Sequence, residues 1–146
     1  MNAHHPDLGR LVRVRFDAPW DQWNLNQRPT YRVGRCGGFG DQGMNVQWLD
    51  GGQNWVDEDR VVFLVVHCKR DSYNEYVGRP SEWGNPFKLT NEGDRESVLA
   101  KYRAWLMKQT KLVERAKQQL KFQVLGCWCA PRACHGDVLA EIANGP

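Results

Sequence analysis

Hydrophobic and polar residues alternate with the period of a β-strand through the first part of the chain, then change period. Leu11-Val12-Arg13-Val14-Arg15-Phe16 puts Val12, Val14 and Phe16 on one face and Arg13 and Arg15 on the other. Residues 31–33 resume the pattern after Pro29, and residues 44–49 bring Met44, Val46 and Trp48 to one side. Asp50-Gly51-Gly52 supplies the positive-φ positions of a tight hairpin, so residues 53–56 read as the return strand. Residues 60–66 are a fifth strand. Five short strands with glycine-rich turns predict a small all-β barrel, SH3-like or Tudor-like, over residues 1–65. The alternative is that these strands extend the sheet of the second half.

The second half alternates strands with helices. Residues 61–68 form an apolar strand, and residues 71–85 a loop without periodicity. Asp94 is placed to cap a helix over residues 95–108, whose apolar face carries Val98, Leu99, Tyr102, Trp105 and Leu106. Thr110 is placed to cap a second helix with Leu112, Val113, Ala116 and Leu120 inward. Residues 122–129 are another apolar strand, stopped by Pro131, and a short helix over residues 135–143 follows. This order predicts an α/β domain over residues 66–146, Rossmann-like, with a small, mostly parallel sheet and a right-handed crossover. The boundary falls in or just after a strand, so no flexible linker is expected.

Composition narrows the class. The chain has 146 residues, 41% hydrophobic and 25% charged, as a globular protein does. The longest apolar run, residues 61–66, is far too short for a membrane span. The first residues have no basic region leading into an apolar stretch, so no signal peptide is expected. An odd count of five cysteines argues against a disulfide framework and for reduced thiols in a cytosol. The net charge of +3 is uneven: residues 1–66 carry −1 and residues 67–146 carry +4. That bias permits a phosphate-bearing ligand but falls short of a duplex-binding footprint, and a solvated Lys-rich helix face explains it better than a nucleic-acid face does.

The richest chemistry lies in Cys127-Trp128-Cys129-Ala130-Pro131-Arg132-Ala133-Cys134-His135-Gly136-Asp137. Cys127 and Cys129, two apart on a strand, project the same way. Cys134 and His135 follow at a helix start, where partial positive charge favours a thiolate. Three readings compete. Cys127, Cys129, Cys134 and His135 have the donor types of a structural zinc site, although the spacing is not a knuckle and adjacent Cys134 and His135 converge poorly. Cys134 or Cys127 can instead be a nucleophile, with His135 or Asp137 handling protons. The bland reading makes the cysteines small buried residues and Asp137 a first-turn acid.

The other unusual run is Tyr76-Val77-Gly78-Arg79-Pro80-Ser81-Glu82-Trp83-Gly84-Asn85-Pro86-Phe87. Arg79 is a forked donor for phosphate or carboxylate. Trp83 is suited to stacking on a base, Asn85 to reading a base or sugar edge, and Gly84 to close backbone approach. Against this, Trp83 and Phe87 equally suit plugging a core. His67 and Cys68 complete a site with the later cysteines if their strand neighbours residues 122–129. Trp20 and Trp23, in a polar loop, are better binding candidates than Trp48 and Trp55, which suit a core. Cys36, His4 and His5 carry little signal.

Three separated motifs, in order, carry a family resemblance. They are Tyr76-x-Gly78-Arg79-Pro80-x-x-Trp83-Gly84-Asn85-Pro86-Phe87, Tyr102-x-x-Trp105-Leu106, and the stretch from Cys127 through Leu139. Together they resemble the family named domain of unknown function 4326, found in bacteriophages and bacteria, over roughly residues 65–144. The last motif is also similar, more weakly, to the end of the family named domain of unknown function 488. The resemblance implies an α/β domain in a phage or bacterial cytoplasmic setting, with Arg79, Trp83, Gly84, Asn85, Pro86, Cys127, Trp128, Cys129, Cys134, His135, Gly136 and Asp137 as signature residues. It implies no reaction.

Two functions are therefore expected. One is binding or processing of a nucleotide, nucleoside derivative or nucleic-acid end in a C-terminal Cys/His pocket. Arg79 and the amides near Gly136 would hold phosphate, Trp83 or Trp128 would stack, Cys129 would line the pocket, and Cys134, His135, Asp137 and Cys127 would do any chemistry. The other is a non-enzymatic interaction protein, with a structural, zinc-bound cysteine cluster and a barrel that binds a host protein or nucleic acid.

Overall fold

The computed structural model describes residues 6–16 and 30–145. Trp20, Trp23, His4 and His5 lie outside the described residues. The chain divides into two compact units, Met1–Phe63 and Leu64–Pro146.

The first unit contains β1 (Leu11–Phe16), β2 (Thr30–Gly40), β3 (Gly43–Trp48), β4 (Gln53–Val56) and β5 (Val61–Phe63). They form one antiparallel sheet in the order β4-β3-β2-β1-β5. The alternating face works as the pattern requires. Val12 and Val14 are fully buried and join Cys36, Met44, Val46 and Trp48 in one core, with Phe39, Val56, Val61 and Phe63 packed against it. Gly51 and Gly52 take φ of 108° and 82° in the β3–β4 hairpin, a turn side chains with a Cβ resist.

The expected SH3-like barrel does not form. Closure requires the outermost strands to pair. Among the described residues β4 and β5 are edges without a shared ladder, and the sheet stays open. These edges are four and three residues long, too short to reach round the sheet. A register shift between Cys36 and Gly38 bends β2, which runs through Gly40 rather than stopping near Val33. The strand expected over residues 60–66 is two strands, broken at the fully buried Leu64: β5 belongs to the first sheet and β6 to a second.

The second unit holds β6 (Val65–His67), β7 (Glu75–Tyr76), α1 (Arg95–Lys108), α2 (Thr110–Gln119), β8 (Leu125–Cys127) and α3 (His135–Asn144). Its three-stranded sheet is parallel, in the order β6-β8-β7, with Val65 and Glu75 both opposite Leu125. It is a separate sheet, so the strands of the first half do not extend it. β8 is buried along its length, as a central parallel strand must be. It is shorter than the expected 122–129, because Phe122 turns at φ 63° after α2. Val98, Tyr102 and Leu106 form the buried stripe of α1, Leu112 and Ala116 that of α2. Asp94 makes no side-chain cap. Instead the Asn91 side chain accepts from the Gly93 amide in a short 3-10 turn before α1. Thr110 lies inside α2, whose N-cap position is Gln109.

Candidate functional site

The ends of the three parallel strands and the start of α3 gather most of the residues singled out by sequence. Cys127 ends the central strand, and Cys134 is the N-cap residue of α3 in extended conformation. The intervening loop brings their sulfurs to 2.9 Å, with the two residues 0% and 2% exposed. Cys129 does not join them; it lies beside Arg95.

The two thiols are unlike. The Cys127 sulfur takes a hydrogen bond from Cys134 and further ones from the Ala130 and Cys129 amides, which together bring its pKa down to about 7 against the opposing effect of burial. The hydrogen bond to Cys127 and burial push the Cys134 thiol up. Cys134 is thus the proton donor and Cys127 the acceptor, the reverse of the order expected from a helix N-terminus alone. The helix start is already engaged: the Asp137 carboxylate accepts the Cys134 amide at 2.9 Å, and the Gly136 amide serves the Cys134 sulfur.

His135 turns away from both thiols. Its Nε2 is 2.7 Å from the Val77 carbonyl oxygen, which can only accept, so Nε2 carries the proton. Its ring meets Tyr102 edge-on at 5.3 Å. Burial lowers its pKa, and nearby Arg79 adds to that, so the ring is neutral at neutral pH. No Cys-His-Asp relay results.

The 76–87 loop divides in two. Trp83 is 2% exposed, and Tyr102 donates its hydroxyl to the Trp83 carbonyl at 2.8 Å. The Trp83 ring is packed into the core. Asn85 fixes a turn by accepting the Phe87 amide, yet it also borders a cavity of about 50 Å³ with Leu89, Arg95, Cys129, Cys134 and His135. Gly84 is needed for packing: a Cβ there would come within 2.8 Å of Arg79 Cγ. Arg95 is held by both oxygens of Glu92 and by the Ala133 carbonyl.

Trp128 presents the aromatic surface that Trp83 does not. It is 55% exposed, just past the end of β8. Its indole nitrogen donates to the Tyr76 hydroxyl at 2.8 Å, and that hydroxyl donates to the Arg79 carbonyl. His67 meets the Trp128 ring edge-on at 5.8 Å, and Lys69 Nζ lies 5.5 Å from its centroid. His67 ends β6 and Tyr76 ends β7, so all three strand ends contribute. Sequence reading missed Tyr76 and Lys69 as partners of Trp128, although Tyr76 opens the first motif. It also missed Tyr102 and Arg95.

The four donors considered for zinc do not converge. Cys127 and Cys134 face each other, His135 faces a carbonyl, and Cys129 sits by Arg95. Among the described residues no group of three or more His, Cys, Asp or Glu is arranged to hold a metal ion. Gly136 is buried, and its amide serves the Cys134 sulfur.

Residues 66–145, which carry this arrangement, match the model of the family described as domain of unknown function (DUF4326). The chain belongs to DUF4326. A relative is the "Uncharacterized 12.4 kDa protein in nrdA-td intergenic region" of Enterobacteria phage T4, 30% identical over 83 residues, spanning 55% of this chain and 76% of that protein. No solved structure matches the chain. The DUF4326 segment begins inside β6 and takes in both strand-end clusters, while β1 to β5 lie outside it. Among the described residues no helix is long and apolar enough to cross a membrane.

Proposed function

We propose that the DUF4326 unit binds a nucleotide, a nucleoside derivative or a nucleic-acid end against Trp128, in the cytoplasm of a bacterial host. The observation that carries this reading is the exposed Trp128 ring, fixed at the carboxyl ends of all three parallel strands by Tyr76 and flanked by His67 and Lys69. Parallel α/β sheets bind ligands at that edge. A rigid, solvent-facing indole offers a stacking surface, and stacking on an aromatic is worth about 1–3 kcal/mol per base. Lys69 beside the ring and the exposed Arg79 near His135 supply charge for phosphate. The small cavity behind, bounded by Cys129, Cys134 and His135, fits a protruding group of the ligand rather than the whole of it.

Calorimetric titration with mononucleotides, nucleosides and short single-stranded oligonucleotides tests this. At least one class is expected to bind, and Trp128→Ala should weaken it about tenfold or more with the fold intact. Lys69→Ala should weaken phosphate-bearing ligands and flatten the salt dependence. No binding by any of the three classes, or equal binding by Trp128→Ala, overturns the reading.

A further inference from the structure

Ligand stacking leaves the paired thiols unused. Cys127 and Cys134 come from different elements, a strand end and a helix cap, and their sulfurs lie 2.9 Å apart. A disulfide bond is only about 0.9 Å shorter. Their access differs: Cys134 borders the cavity of about 50 Å³ together with Arg95, and Cys127 does not. Space of that size admits a molecule of a few heavy atoms and excludes a peptide disulfide.

We propose that Cys127 and Cys134 are a redox couple, which a small hydroperoxide entering this cavity converts from dithiol to intramolecular disulfide. In the reduced pair one negative charge is shared across the S–H···S contact, and the Gly136 amide steadies it when it rests on Cys134. Transfer of the Cys134 proton across the contact to Cys127 moves the charge to Cys134, the thiol the cavity reaches, and that thiolate attacks the peroxide. A sulfur–oxygen bond forms, the oxygen–oxygen bond breaks, and the departing oxygen takes up the thiol proton to leave as water or alcohol. Arg95 in the cavity wall stabilises that oxygen as charge develops. The Cys127 thiolate then attacks Cys134 Sγ. The disulfide forms, the sulfur–oxygen bond breaks, and hydroxide leaves as water by taking from solvent the proton the pair gave up when it ionised. Two thiols have lost two electrons, and the peroxide has gained them. A small dithiol reverses the change by exchange. Neither step uses Trp128, so the couple stands without the nucleotide reading, although a ligand group lodged in the same cavity would bar the peroxide.

The whole chain, fully reduced and desalted, would be treated with one equivalent of hydrogen peroxide. It would then be unfolded in N-ethylmaleimide and mapped by mass. Expected is a disulfide-linked Cys127–Cys134 peptide pair, about 2 Da lighter than the two thiols, with two of the chain's five cysteines unalkylated. Dithiothreitol should restore both. Cys127→Ser should leave a sulfenic acid on Cys134 that dimedone captures. If that variant does not fold, the wild-type map alone decides. Five alkylated cysteines after peroxide, or oxidation confined to Cys36, Cys68 or Cys129, would overturn the proposal.

Discussion

His135 shows how one side chain ties the site to solution conditions. Its Nε2–H is spent on the Val77 carbonyl, and burial keeps the ring neutral, so its pKa in the fold lies below the ordinary 6.5. The unfolded chain therefore takes up a proton at this position before the folded one does. Stability is full above 6.5 and falls as pH drops from there toward the lowered value in the fold. Thermal melts between pH 7.5 and 5, roughly, should show a falling midpoint. In His135→Gln, which keeps a donor for Val77 without a titrating ring, this part of the slope should vanish. An unchanged slope would show that another group controls it. Residue identity made this histidine visible in the sequence, but not the carbonyl it serves. The same holds for Cys127 and Cys134. Their partnership depends on how a six-residue loop folds back, and spacing alone set Cys127 with Cys129 instead. The sequence leaves open which of Trp83 and Trp128 is buried, for a related reason. An aromatic in a loop has no periodicity to say whether it faces a core or a ligand, and only the helices packed over the loop decide.

Among the elements, α1 and the β3–β4 hairpin were the most legible, because a long 3.6-residue stripe and an Asp-Gly-Gly turn each have one local solution. β2 was not. The alternating pattern runs only over residues 31–33, whereas β3 pairs with Gly38 and Gly40 beyond the bulge and keeps the strand going. The residues 60–66 run looked like one strand because hydrophobicity alone cannot show that the chain changes sheets at Leu64. The central strand β8 yields a further test. A Cβ on Gly126 would lie 2.7 Å from the Tyr73 ring, at atoms near its stem rather than its tip. Gly126→Ala should cost about 1–3 kcal/mol in denaturant unfolding, as overpacking does. Tyr73→Ala in the same chain should recover most of that loss. If it does not, the Tyr73 ring is not what excludes a side chain from this position.

At the scale of the molecule, the family segment and the compact unit begin at different residues. The match starts at Val66, but the unit starts at Leu64, which is fully buried and accepts the Leu125 amide at 2.7 Å. Val65 is also buried and opposite Leu125. A chain cut to residues 64–146 is expected to melt cooperatively. One cut to 66–146 should be weaker by roughly 3 kcal/mol or more, from the two apolar side chains it loses. Equal melts would place the fold's edge at the family boundary.

The strand order also dictates a timetable. In the first sheet most ladders join neighbours in sequence, so hairpins can close as soon as they are made. In the second, neither β6 nor β7 has a partner until β8 exists, and β8 lies 60 residues after the one and 50 after the other. On a translating ribosome both early strands wait, unpaired, for roughly the last seventh of the chain. Ribosome-bound chains halted before Leu125 should hold a formed first sheet beside a second unit that has none.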